Sequence, residues 1–207
     1  CIIYETPAIP ERSKIAGYDL PKKQQKFHRE KYPSDKNFEA LDEEAQLAIL
    51  TEVLSKRREG HWFMNNGEET YITGVHWLYL NFWKIDVGFP EYRRSDRDYF
   101  YFWDYCVKDP LSIGMINMEN RRQGKTERSN CILYEYASIN ANSHVGIQSK
   151  TDADAKKVFL KLVRTWKRMP YWLKPIDEGD SQPKSALRFF EPSTRSTKGK
   201  RKEYGVS

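Results

Sequence analysis

The C-terminal half of this sequence predicts an α/β fold, a parallel sheet flanked by helices, preceded by a helical and hairpin N-terminal extension. Three observations predict it. Short apolar runs, "LSIGMINM", "HVGIQS" and "ALRFFEP", read as buried strands. Amphipathic helical patterns, "ERSNCILYEYASINA" and "TDADAKKVFLKLVRTWKRM", separate them in strict alternation. Before Leu111 the pattern is different: one long helix, an Asn-Gly hairpin and two aromatic-rich helices. Strand, helix, strand, helix, strand implies parallel pairing with right-handed crossovers.

The elements follow in order. Residues 1–36 are rich in Pro, Lys and Glu without a period, and read as an extended arm or loosely packed lead-in. "FEALDEEAQLAILTEVLSKRREG" predicts one helix. Leu41, Ala45, Ala48, Ile49 and Val53 recur at helical spacing, acids lead, bases trail, and Gly60 ends it. Asn66-Gly67 between apolar arms predicts a hairpin. Thr73 caps a short aromatic helix over "GVHWLYLNFWKI". "RSDRDYFYFWDYCVKD" is a further amphipathic helix, closed by Pro110. Beyond the first strand, Ile132, Leu133, Tyr136 and Ile139 mark the apolar side of one helix. Thr151 and Asp154 form a capping box on the next, whose buried stripe is Ala155, Phe159, Leu162, Trp166 and Met169. The domains expected are 1–60, arm and helix; 61–110, aromatic lead-in; and 111–207, the first part of an α/β core. "STRSTKGKRK" is too poor in apolar residues to pack.

Composition bounds the chemistry. The 207 residues carry a net charge of +6, which favours a polyanionic partner. Cys1, Cys106 and Cys131 are too few and too scattered for a disulfide framework or a zinc site, and they suit a reducing compartment. His28, His61, His76 and His144 have neither ligand nor triad spacing. No run is apolar enough to span a membrane and no signal peptide opens the chain. A start at Cys1 and an end just past a basic run suggest a piece of a longer protein.

The chemistry concentrates in "MENRRQGKT", Met118–Thr126, between the first strand and the helix after it. Gly-Lys-Thr there is the end of a phosphate-binding P-loop, so the fold expected is of P-loop NTPase type. Gly124 lets the backbone approach phosphates, Lys125 sets a cation between the β- and γ-phosphates, and the Thr126 hydroxyl ligates Mg²⁺. Asn120, Gln123 and Glu127 complete the nucleotide-contacting turn, and ATP and Mg²⁺ are the cofactors expected. The loop lacks its opening glycine; Glu119 stands there instead. The competing reading is an exposed loop before an ordinary helix.

A loop without that glycine but with internal arginines resembles the large subunit of viral DNA-packaging terminases, whose loop often reads Arg-Gln-x-Gly-Lys-Thr or Arg-Arg-x-Gly-Lys-Ser. "SDRDYFYFWDYCVKDP", "YITGVHWLYLNFWKIDVGFPEYR" and "HVGIQSKTDADAKKVFLKLVRTWKRMPYWLKP" are similar to the family's flanking segments, so the resemblance spans residues 60–190. It implies an N-terminal ATPase portion that drives packaging of double-stranded DNA into a capsid in the host cytoplasm, transiently at the portal. The implied partners are DNA, the portal or procapsid and the small terminase subunit, in a homo-oligomeric ring. It implies catalytic roles for Lys125 and for Arg121, with Arg122 second, facing the γ-phosphate.

Departures matter. The family's Arg-Asp-Tyr-Gln, whose glutamine meets adenine, is Arg97-Asp98-Tyr99-Phe100 here, leaving Tyr99 or Phe100 to stack on the base, or to pack in the core. Trp77, Tyr79, Phe82 and Trp83 read as packing. No apolar strand ending in Asp-Glu follows, since "LKPI" before Asp177-Glu178 is no buried run, and no nuclease cluster is present; efficient hydrolysis by this chain alone is not expected. Lys157, Lys161, Arg164 and Arg168 share one helix face, and Arg195, Lys198, Lys200, Arg201 and Lys202 form a terminal run. Both are candidate DNA-phosphate contacts, the first also readable as a solvated face. Two other functions stay open: another P-loop translocase or helicase-like ATPase fragment, and a basic, non-enzymatic nucleic-acid-binding module.

Overall fold

The computed structural model describes residues 6–140, 143–177, 180, 182–190 and 203–206. The chain is a mixed α/β protein and divides into two compact units. The first holds the described residues of Cys1–Pro33 with Glu39–Phe82 and Phe89–Glu119; the second holds Ser34–Phe38, Trp83–Gly88 and the described residues from Asn120 on.

In the first unit, the predicted hairpin forms from β1 (His61–Asn65) and β2 (Glu68–Ile72), antiparallel with Asn65 opposite Glu68. Both turn residues take positive φ, 53° at Asn66 and 91° at Gly67, the pair of left-handed conformations a two-residue turn of matching twist demands. The lead-in, expected as an extended arm or loosely packed segment, is largely exposed and is tied to the rest of its unit at a few points. Ala16 lies parallel to Phe63, donating to the Trp62 carbonyl at 3.1 Å and accepting from Met64 at 2.9 Å. Ile15 is buried, and Asn81 Oδ1 accepts the Glu30 amide at 2.9 Å. The lead-in lacks a hydrophobic period because it is held by backbone hydrogen bonds along β1, which any sequence can supply.

The single helix expected over 38–60 is two: α1 (Asp35–Glu39) and α2 (Glu43–Glu59). Asp42 causes the break. Its side chain accepts from the Ala45 amide at 2.8 Å, starting a new helix where a continuous one would need Asp42 in its interior. At the other end Gly60 caps α2 as expected. Of the predicted stripe only Val53 is fully buried, and Ala48 is exposed.

Helix α3 (Gly74–Asn81) begins at Thr73, whose Oγ1 accepts from His76 at 3.4 Å, and every one of its residues is buried. Helix α4 (Arg94–Lys108) buries Asp96, Tyr99, Phe100 and Tyr101. His76 stacks on Phe100 with ring centroids 4.8 Å apart. Arg97 Nε donates to the Tyr71 carbonyl at 2.8 Å, joining α4 to β2.

The strand expected at "LSIGMINM" does not form. Leu111, Ile113, Ile116 and Met118 are 88–106% exposed, and no described strand pairs with the segment. An apolar run becomes a strand only when a neighbour takes its amides and carbonyls, and the described residues supply none here.

The second unit packs α5 (Lys125–Ile139) against α6 (Asp152–Lys167) and a three-stranded sheet. The sheet is mixed, not parallel, in the order β3 (His144–Val145), β5 (Glu203–Val206), β4 (Leu187–Phe190). Strand β3 is the first third of the expected "HVGIQS", and β4 lies within "ALRFFEP". Both pair with β5, parallel to β3 and antiparallel to β4, a strand whose short sequence shows no apolar run. The capping box holds, with Thr151 accepting from the Asp154 amide at 3.2 Å, and Phe159, Leu162, Trp166 and Met169 are buried. Helix α5 keeps only part of its expected face: Ile132 is buried and Leu133 half-buried. Tyr136 and Ile139 are exposed, whereas Arg128, Asn130, Cys131, Tyr134, Glu135 and Ala137 are buried. With α6 on one side and the sheet on another, polar positions are covered too; Asn130 compensates by donating to the Val158 carbonyl at 3.1 Å.

Candidate functional site

The turn before α5 carries the sequence-predicted residues. Gly124 is the N-cap of α5 with φ 82°, a left-handed conformation without cost for glycine. Arg122 also takes positive φ, 69°, and Gln123 between them does not. Left-handed residues alternating with right-handed ones are the building units of an anion-binding nest. Lys125 and Thr126 are the first two residues of the helix, where amides point along the axis and the dipole favours negative charge. The Gly124 carbonyl accepts from Glu127 at 3.1 Å and Arg128 at 3.2 Å, closing the first helical turn.

Side chains around this turn divide by exposure. Asn120, Arg121, Arg122, Gln123 and Lys125 are exposed; Gly124, Thr126 and Glu127 are half-buried. Five of the residues predicted to meet nucleotide are therefore open to solvent. Glu127 is turned away from that role. Its carboxylate accepts from the indole Nε1 of buried Trp83 at 3.3 Å, and that ring packs against Tyr134 about two helical turns on, with centroids 5.8 Å apart. The pair fastens the first turn of α5 to the Trp83–Gly88 segment. Nothing local in the sequence announces it, because the partners are 44 positions apart. Tyr99, the candidate adenine contact, belongs to the first unit, where it is buried and packs edge-on against Phe100. Trp77 and Tyr79 are likewise core.

The basic face of α6 is partly occupied. Arg164 Nη1 donates to both Asp86 oxygens at 3.0 and 2.9 Å, and Arg168 Nη1 donates to the Lys84 and Ile85 carbonyls at 3.2 and 3.1 Å. The Arg164 hydrogen bond holds the Asp86 carboxyl below its usual range. Lys157 pairs with Asp154 at 3.1 Å, and Lys161 is exposed. Two of the four cations thus clasp the 84–86 turn, a role the helical spacing alone did not reveal. The terminal run Arg195 to Lys202, Cys1, and Glu178 of the rejected Asp177-Glu178 pair lie outside the described residues. Asp177 bridges Phe189 in an isolated antiparallel pairing. Among the described residues no three His, Cys, Asp or Glu side chains gather as a metal site, and no helix is long and apolar enough to cross a membrane. Comparison with protein-family models, with curated proteins and with solved structures gave no match to this chain.

Proposed function

We propose that residues 120–126 bind the phosphates of Mg·ATP and that the chain is the ATPase portion of a DNA-packaging terminase large subunit. The observation that carries the reading is the turn itself. A left-handed Gly124 leads straight into a helix whose first residues are Lys125 and Thr126, with Arg121 and Arg122 exposed beside it. The groups present fit the ligand: a helix N-terminus behind a left-handed glycine for phosphate oxygens, three cations for a triphosphate, and a hydroxyl for Mg²⁺. Lys125 would hold the β- and γ-phosphates, Thr126 the metal, and Arg121 or Arg122 the charge on the γ-phosphate. The nucleotide would supply the energy for moving double-stranded DNA in the host cytoplasm, with portal, procapsid, small subunit and further copies of the chain as partners.

In this reading "LSIGMINM" becomes the P-loop strand of a parallel sheet once a neighbouring strand pairs with it. Its exposed course here favours a second reading, a basic nucleic-acid-binding module in which Gly-Lys-Thr merely starts a helix. Calorimetric titration with Mg·ATP separates the two. Saturable binding that Lys125→Ala weakens on the order of 10- to 100-fold, the worth of one charged hydrogen bond, supports the ATP site. A folded protein that takes up no ATP, or binds it equally well without Lys125, overturns it.

A further inference from the structure

Helix α2 buries one side through Val53 and Arg57 and turns another to solvent. On that outer side lie Glu43, Leu47, Leu54 and Arg58. Leu47 is 65% and Leu54 52% exposed, two apolar side chains on one helix face. At 100° per residue these four positions fall within one narrow stripe. Their spacing is symmetric: four residues from Glu43 to Leu47, seven to Leu54, four to Arg58. The charge is antisymmetric, acid at the start and base at the end.

Such a stripe is complementary to itself when reversed. Two α2 helices laid antiparallel about a two-fold axis between Leu50 and Thr51 bring Leu47 of each copy onto Leu54 of the other. The same operation sets Glu43 of each copy against Arg58 of the other. The ion pair therefore occurs twice, as an isologous interface requires. The apolar centre with charged ends is the pattern of a helix pair whose orientation is set by charge.

We propose that α2 is a self-association face, through which a second copy of this chain docks antiparallel with Leu47 on Leu54 and Glu43 on Arg58. The proposal uses no residue of the phosphate-binding turn and does not depend on ATP. One helix face is small for an interface, so association belongs in the micromolar range or weaker.

Sedimentation velocity on the whole chain across a wide concentration range tests it. The wild type should pass from monomer to dimer. Glu43→Arg or Arg58→Glu alone sets like charges together twice per dimer and should weaken association at least about tenfold. The double reversal restores both pairs and should return the dimer, although it places both charges at the wrong ends of the helix dipole. A merely structural effect predicts the opposite, with the double variant worst. Leu54→Ser, at an exposed position, should also dissociate the dimer without unfolding the chain. A wild type that stays monomeric at every concentration overturns the proposal, as does a dimer indifferent to the single reversals and to Leu54→Ser.

Discussion

Replacing Gly74 with alanine sets two physical effects against each other. Gly74 opens α3, and its φ is not in the left-handed region, so alanine incurs no torsional penalty. Helix propensity alone then favours alanine by up to about 1 kcal/mol. The tertiary contact says otherwise. A Cβ at this position would lie 1.8 Å from the Arg57 carbonyl oxygen and 2.4 Å from its carbon. Both atoms are backbone at the end of α2, so no side chain can swing aside. Reaching ordinary contact requires the start of α3 and the end of α2 to part by about 1.5 Å in a close-packed interior. Overpacking of this kind costs about 1–3 kcal/mol, and a backbone–backbone clash belongs at the upper end. With α3 wholly buried, a net loss of about 3 kcal/mol is expected. At about 2–4 °C per kcal/mol for a chain this long, Tm should fall by roughly 6–12 °C. Thermal unfolding followed by tryptophan fluorescence reads it directly, since Trp77 sits in α3 itself. An unchanged or raised Tm would show that helix propensity governs here and that the close approach of the two helices is not a real constraint.

Two further outcomes are expected. Asp42→Ala should cost about 1 kcal/mol by removing the side-chain cap at the start of α2, whereas Asp42→Asn should cost little, and the difference is measurable by urea unfolding. Stability should also fall as pH drops below neutrality. Burial holds the His61 imidazole below its ordinary pKa, so the unfolded chain takes up that proton first. Glu30 acts in the same direction. Although burial opposes its ionisation, hydrogen bonds from Lys56 at 2.9 Å and from Tyr32 hold its carboxyl below the usual range, and its contribution is lost at still lower pH. His61→Gln should flatten the part of the Tm–pH curve near pH 6–7 and leave the more acidic part in place; a curve unaltered by the substitution would exclude His61 as its source.

What was legible in the amino-acid order shares one property: both partners lie within a few residues of each other. Asn66-Gly67 must turn, Thr73 and Thr151 must cap, and Gly60 must end a helix, because each satisfies a neighbouring amide or adopts a conformation open to few residues. The same locality explains the turn before α5, where Gly124 and the start of the helix at Lys125 follow from the residues themselves. Asp42 was equally local, yet its capping role was masked by the acidic run that a continuous helix would also carry.

The rest was decided by tertiary structure. Whether "LSIGMINM" is a strand depends on another strand taking its amides, and no periodicity within the segment can report that. The mixed order β3–β5–β4 rests on a strand without an apolar run, and the face that α5 buries depends on what surrounds it. The Trp83–Glu127 bond and the clasp of Arg164 on Asp86 join residues 44 and 78 positions apart. By itself the sequence determined turns, caps and helix limits, because these are satisfied within one turn of chain. Only the tertiary structure decided strand partners, buried faces and long-range pairs, because their energy arises between segments that nothing local brings together.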